Sequence, residues 1–194
     1  ACLIEDEFGV NYERGDQTSL RRWLAEFPEE FVFSRPHLCI LDAWNLFTSG
    51  QLEAADRSLR AADMMLDPNT DQELVSSLDK DQLSDTDRMA LVGRLAAIRS
   101  FLAGYSGDIP GTIQYARQAL DYLPEQELEW RSAPLIALGD AYVSQGQMVA
   151  AHQARSDALV AGKASGDTYI LLIVNLRLAE ILRQQGELQQ VIDI

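Results

Sequence analysis

Apolar residues recur along this chain at helical spacing, in paired runs separated by short turns. Nowhere do they alternate as a half-buried strand requires. The clearest pair begins with Leu138-Gly139-Asp140-Ala141-Tyr142-Val143-Ser144-Gln145-Gly146 and continues through Ala151 and Ala158. The first run reads as a helix closed by a left-handed turn, because glycine adopts φ > 0 without a Cβ clash. Gly139, Ala141, Ala151 and Ala158 are small where two helices must cross closely, and Tyr142 is the large residue that fills the space beside them. The unit is a helix–turn–helix hairpin of about 34 residues, the building block of a helical repeat protein.

The unit returns. Turn glycines stand at Gly15, Gly50, Gly107, Gly146 and Gly186, each followed by Asp, Gln or Glu and a second apolar run. The intervals 15–50, 107–146 and 146–186 each fit one repeat, and 50–107 needs room for an added short helix. Residues 2–12 read as a short helix. Thr18 or Ser19 caps the next, with Leu20, Trp23, Leu24 and Phe27 on one face until Pro28 ends or bends it. Phe31 and Phe33 fall in the connection. Pro36 opens a helix at the position where its missing N–H is harmless, and that helix, through Leu38, Ile40, Leu41, Ala43, Trp44, Leu46 and Phe47, is apolar on nearly all sides. Leu52, Ala55, Leu59 and Ala62 mark its partner. Residues 63–87 carry eight acids against Lys80 alone and read as an acidic insertion, with one short helix around Leu74, Val75 and Leu78. Ser84 to Asp87 then cap a long helix ending before Gly107, its partner stops at Pro124, and a last helix spans Tyr169 to Gln185.

Net charge is −14, and fourteen of the sixteen bases are arginine. Such a surface repels nucleic-acid phosphate and anionic lipid, so no direct nucleic-acid or membrane partner is expected. Two cysteines, Cys2 and Cys39, make no disulfide framework. Cys39 lies in an apolar run as a small hydrophobe, so a reducing, cytoplasmic setting is expected. The chain begins with Ala and stops at Ile194 amid the apolar positions Leu188, Val191 and Ile192. Because a solenoid ordinarily ends in a polar capping helix, residues 1–194 read as a single repeat domain cut from a longer chain, with self-association possible through the open end.

Leu138-Gly139, Tyr142, Gly146, Ala151 and Ala158 resemble a tetratricopeptide repeat, as do the endings Ala119…Pro124 and Ala62…Pro68. Leu20-Arg21-Arg22-Trp23-Leu24-Ala25-Glu26-Phe27-Pro28-Glu29-Glu30, Arg35-Pro36-His37-Leu38-Cys39-Ile40, Ala43-Trp44 and Gly50-Gln51-Leu52-Glu53-Ala54-Ala55 resemble the repeat region of MalT-type regulators, the large ATP-binding activators of the LuxR class; Gly107-Asp108-Ile109 with Ala116 and Ala119 fits the same region. The resemblance implies an all-α fold of antiparallel helix hairpins stacked into a right-handed solenoid. It also implies a sensor role between a nucleotide-hydrolysing module and a helix-turn-helix domain. No phosphate-binding Gly-Lys-Ser/Thr loop occurs in these residues, so ATP and DNA contacts would belong to other domains.

Nothing here reads as catalytic, and no cofactor is expected. His37 and His152 are far apart and pair with no cysteine at metal-ligand spacing. Asp79-Lys80-Asp81 with Asp85 lacks the glycine and terminal glutamate of a calcium loop, and no nucleophile elbow is present. Asp140 and Glu180, about one repeat apart, suit a groove better than an acid–base pair.

In this repeat class the first helix of each hairpin lines the concave side. Counting back from the turn glycines places His37, Trp44, Phe47, Arg94, Phe101, Tyr105, Asp140, Ser144, Glu180, Arg183 and Gln184 there. Aromatic faces with a few polar groups suit a small effector or a peptide; sugar rings over the aromatics, read by Asp, Glu, Arg and Gln, are one fit. The alternative is that Trp44, Phe47 and Phe101 only pack between helices and the charged residues are solvated. A sensor and a general protein–protein scaffold are thus the competing readings. A chaperone-tail clamp needs groove lysines, and the chain's two, Lys80 and Lys163, fall outside the inner positions.

Overall fold

A computed structural model describes residues 22, 24, 26–67, 84–166 and 168–186. Among them lie eight helices and no strand: α1 (Glu29–Val32), α2 (Pro36–Thr48), α3 (Leu52–Leu66), α4 (Asp85–Tyr105), α5 (Ile109–Tyr122), α6 (Leu128–Ser144), α7 (Met148–Ser165) and α8 (Thr168–Gln185). The readings for Gly15, Thr18, Ser19, Trp23, the helix around Leu74 and the apolar positions 188–192 fall outside the described residues.

Three turns repeat one hydrogen-bond pattern. Gly50, Gly107 and Gly146 have φ of 77°, 78° and 72°. The residue after each donates its N–H back to the helix: Gln51 to Leu46 O at 2.8 Å, Asp108 to Ala103 O at 2.9 Å and Gln147 to Tyr142 O at 2.8 Å. This closure satisfies carbonyls that the helix end would leave orphaned, by the same bond at each of the three reversals. Gly166, φ 74°, ends α7 in the same left-handed conformation and was not singled out from sequence. Pro36 occupies the first turn of α2, Ser84 caps α4 by accepting the N–H of Asp87 at 3.1 Å, and Asp108 caps α5 by accepting that of Gly111 at 2.9 Å.

The hairpins α2–α3, α4–α5 and α6–α7 stack in order. Each first helix packs on the next first helix (α2 on α4, α4 on α6, α6 on α8), and each second helix also packs on the following first helix. Crossings are close because the residues between are small: Ala55, Ala62, Ala97, Ala116, Ala119, Ala151 and Ala158 are wholly buried. Gly93 crosses the end of α5, where a Cβ would lie 2.9 Å from Leu123 Cγ. The main core joins α2 to α6 through Ile40, Trp44, Leu59, Leu91, Leu95, Ile98 and Trp130.

The arginines serve the stacking. Arg131 donates to the carbonyls of Leu120 and Leu123 at 2.9 and 2.7 Å, and Arg88 donates to that of Leu66, so each covers the end of the preceding hairpin. Arg99 pairs with Asp63 across α3 and α4. A forked, always-charged guanidinium suits such bridging better than an ammonium. Two sequence expectations change. Phe31 lies in α1 rather than in a connection, stacked on Phe27 with ring centroids 4.9 Å apart. The proposed insertion begins later than 63, because Asp63 to Leu66 complete α3, and Asp85 and Asp87 already belong to α4.

Cys39 is fully buried and donates Sγ–H to Val32 O at 3.3 Å; burial first, then the nearby Asp42, pushes its thiol up to about 12. Burial also raises the Asp42 carboxyl, against the lowering effect of the Ser58 hydroxyl that donates to Oδ2 at 2.6 Å. A carboxyl raised by folding adds stability below its unfolded value of about 3.9 and loses it as pH climbs through the folded value. Asp42→Asn keeps an acceptor for Ser58 without the charge. It should therefore melt above wild type at pH 7, and the gap should close as pH falls into the carboxylate range, read by thermal melts across pH 4–8. A gap that widens on acidification would contradict the burial argument.

Candidate functional site

A cavity of about 320 Å³ opens on the side formed by the first helices. Trp44, Phe47 and Thr48 of α2 line it, with Ser100, Phe101, Gly104 and Tyr105 of α4, Ile109 and Thr112 from the start of α5, Ile136, Ala137, Asp140, Ala141 and Ser144 of α6, and Ile173 and Arg177 of α8. Its volume is at the small end of the roughly 300–1,000 Å³ usual for ligand pockets.

One wall is aromatic. Phe47 stacks on Phe101 with centroids 5.4 Å apart, Tyr105 stands edge-on to Phe47 at 5.5 Å, and Trp44 touches Phe47, Phe101 and Trp130 at 5.8, 6.2 and 6.0 Å. Burial grades along this wall. Trp44 is 6% exposed, Phe47 and Phe101 are half-buried, and Tyr105 is 71% exposed at the lip. The opposite wall carries charge. Arg155 of α7 is 2% exposed and donates to Asp140 Oδ1 at 2.7 Å and to the backbone carbonyl of Arg177. Arg177 brings its Nε to 3.7 Å from Asp140 Oδ2 and its Nη1 to 3.7 Å from Glu180. Arg155 thus links α6, α7 and α8, and Asp140 serves two guanidinium groups.

Gly139 acquires its reason here. A Cβ on it would lie 2.7 Å from Arg155 Cγ, and Arg155 is fixed at its far end by two partners. The close crossing expected at Gly139 is therefore made by the stem of a buried arginine rather than by another small residue.

Of the residues placed on the inner surface from sequence, Trp44, Phe47, Phe101, Tyr105, Asp140 and Ser144 come together around this cavity. His37, Arg94, Glu180 and Arg183 do not line it. His37 lies near the start of α2. Arg94 is held by Glu127 at 2.8 Å with its guanidinium 5.5 Å from the Trp130 ring, a clip between α4 and the start of α6. Glu180 brings its carboxylate to 3.7 Å from Arg177 Nη1, and Arg183 is exposed further along α8. The side chain of Gln184 is outside the described residues. On α8 the residues that line the cavity differ from those reached by counting back from the turn glycine. Trp44, Phe101 and Asp140, each six residues before its glycine, reach the cavity, whereas α8 reaches it with Ile173 and Arg177, one to two turns earlier than Glu180. Ile173 and Arg177, four apart on one helix face, were the available signal.

Antiparallel helix hairpins reversed at left-handed glycines, stacked first helix on first helix, and enclosing a groove with their inner faces define a tetratricopeptide-type repeat, a fold built for interaction. The family description "MalT-like TPR region" matches residues 93–194. The chain belongs to this family. Comparisons with curated proteins and with solved structures gave no match. No helix among the described residues is long and apolar enough to cross a membrane.

Proposed function

We propose that this region is the sensor of a LuxR-class transcriptional activator and takes a small effector in the cavity between its first helices. The observation that carries the reading is that side chains from α2, α4, α6 and α8 converge on one site. A ligand there touches every hairpin at once, so its binding energy favours one relative arrangement of the stack over others. That is what a repeat region needs in order to pass a signal to neighbouring domains. The amphipathic lining, aromatic on one side and charged on the other, supports a small molecule over a flat protein surface. Catalysis has no support: Asp140 is engaged by two arginines, and the neighbouring Ser144 hydroxyl donates to a backbone carbonyl rather than to a base.

Gly104 supplies the test. It is exposed at the cavity, and a Cβ there would meet only Thr112 Oγ1 at an ordinary 3.6 Å. Gly104→Leu therefore plugs the space while improving helix propensity by up to about 1 kcal/mol. In thermal melts against a metabolite panel, an effector at 100 times its Kd should stabilise the wild type by about 2.7 kcal/mol, roughly 5–10 °C. Gly104→Leu should fold at least as well and lose the shift. If no small molecule moves the wild type while a partner domain or peptide does, the region is an interaction scaffold instead.

A further inference from the structure

We infer that the cavity selects a small aryl acid: a planar apolar ring lying along Phe47, Phe101 and Tyr105, with its anionic group on Arg177. The inference rests on the sensor reading above and specifies its ligand. It follows from which polar groups in the lining are still free to act.

Four of the five lining hydroxyls have already committed their protons, and the fifth, on Tyr105, stands at the exposed lip. Thr48 donates to Trp44 O at 3.0 Å, Ser100 to Ala97 O at 2.6 Å, Thr112 to Asp108 O at 2.8 Å and Ser144 to Asp140 O at 3.0 Å. Asp140 accepts from Arg155 and faces Arg177. What remains inside the lip is Arg177. Its side chain is 45% exposed, and its two ion-pair contacts among the described residues are both at 3.7 Å. A guanidinium has five N–H donors in a planar fork, so most of that capacity is open to a ligand. Its backbone is fixed by Arg155, which donates to its carbonyl. The charges of this cluster balance, Arg155 and Arg177 against Asp140 and Glu180, but Glu180 is as exposed as Arg177 and holds it only at 3.7 Å, so a ligand anion competes with a long, solvated contact. In a chain of net charge −14 a cluster without excess acid is a local exception, and over a Debye length of about 8 Å the local charge governs a small ligand. A neutral sugar needs donor and acceptor pairs around its ring. This lining offers stacking faces, one cation, and an Asp140 carboxylate already engaged by two guanidinium groups.

The test uses three acids, benzoate, 4-hydroxyphenylacetate and indole-3-acetate, each beside its neutral amide, titrated calorimetrically to millimolar concentration. At least one acid should bind wild type about tenfold or more tightly than its amide. Arg177→Gln should remove that preference without lowering the melting temperature by more than a degree or two, since the residue is half-exposed. Gly104→Leu should weaken acid and amide alike. Amides that bind as well as acids, with both blocked in Gly104→Leu, would overturn the anion assignment and leave the effector cavity standing. Absence of binding by all three acids, or acid binding indifferent to both substitutions, would overturn the aryl-acid proposal. The metabolite-panel melt would then judge the cavity by itself.

Discussion

Asp140→Ala should lower the unfolding free energy by about 3 kcal/mol, far more than loss of a surface ion pair, which is worth about 0–1 kcal/mol. The partner decides this. Arg155 is 2% exposed, and Asp140 is its only carboxylate among the described residues. Removing the acid leaves a buried guanidinium with one backbone carbonyl for company, and breaking a buried pair from one side typically costs 3–5 kcal/mol. The reverse substitution is not equivalent. Arg155→Met keeps most of the stem against Gly139, and the abandoned Asp140 is 37% exposed and still has Arg177 nearby. Its cost should stay near 1 kcal/mol, and Asp140→Ala combined with Arg155→Met should recover much of the loss from Asp140→Ala alone. Urea unfolding of the three variants gives the cycle. Equal losses from the two single changes would mean that burial of Arg155 is not what makes Asp140 matter.

Trp44→Ala should cost about 4 kcal/mol, within the range for emptying a large aromatic site in a packed core. Trp44 is where α2, α4 and α6 meet, through Phe47, Phe101 and Trp130. Its own indole Nε1 is buried without an acceptor, so none of that loss comes from a broken hydrogen bond. Tyr105→Ala, at the other end of the same wall, should change stability by less than about 1 kcal/mol because the ring is largely in solvent. The pair separates two roles that one stripe of aromatics combines. Trp44 holds the stack, and Tyr105 is left to face whatever enters. A Tyr105→Ala variant as unstable as Trp44→Ala would make the whole wall core.

Much of the fold was legible because its signals are local. A glycine that must turn left-handed, a proline that opens α2, an aspartate that caps α5 and an alanine at a helix crossing all declare themselves within a few residues. Gly50, Gly107 and Gly146 accordingly reverse the chain where the sequence said they would. The inner face of α2, α4 and α6 followed from the same turns. Three features did not. Arg155 sits among alanines in α7 and reads as solvated, since arginine is seldom buried without a partner. Its partners are Asp140 in α6 and the Arg177 carbonyl in α8, neither of them near it in sequence. Arg94 looked like a groove residue and is a clip to Glu127. On α8 the groove residue is Arg177 rather than Glu180, because the register shifts along the stack.

The sequence by itself determined the helices, their reversals and the pairing of each with its neighbour, because helix period and φ at a turn are set by contacts within one or two turns of chain. Only the tertiary structure decided which arginine is buried, which is free, and which side chains share the cavity. Those outcomes depend on the rotation of one hairpin against the next, and that rotation arises from packing between residues no local pattern connects.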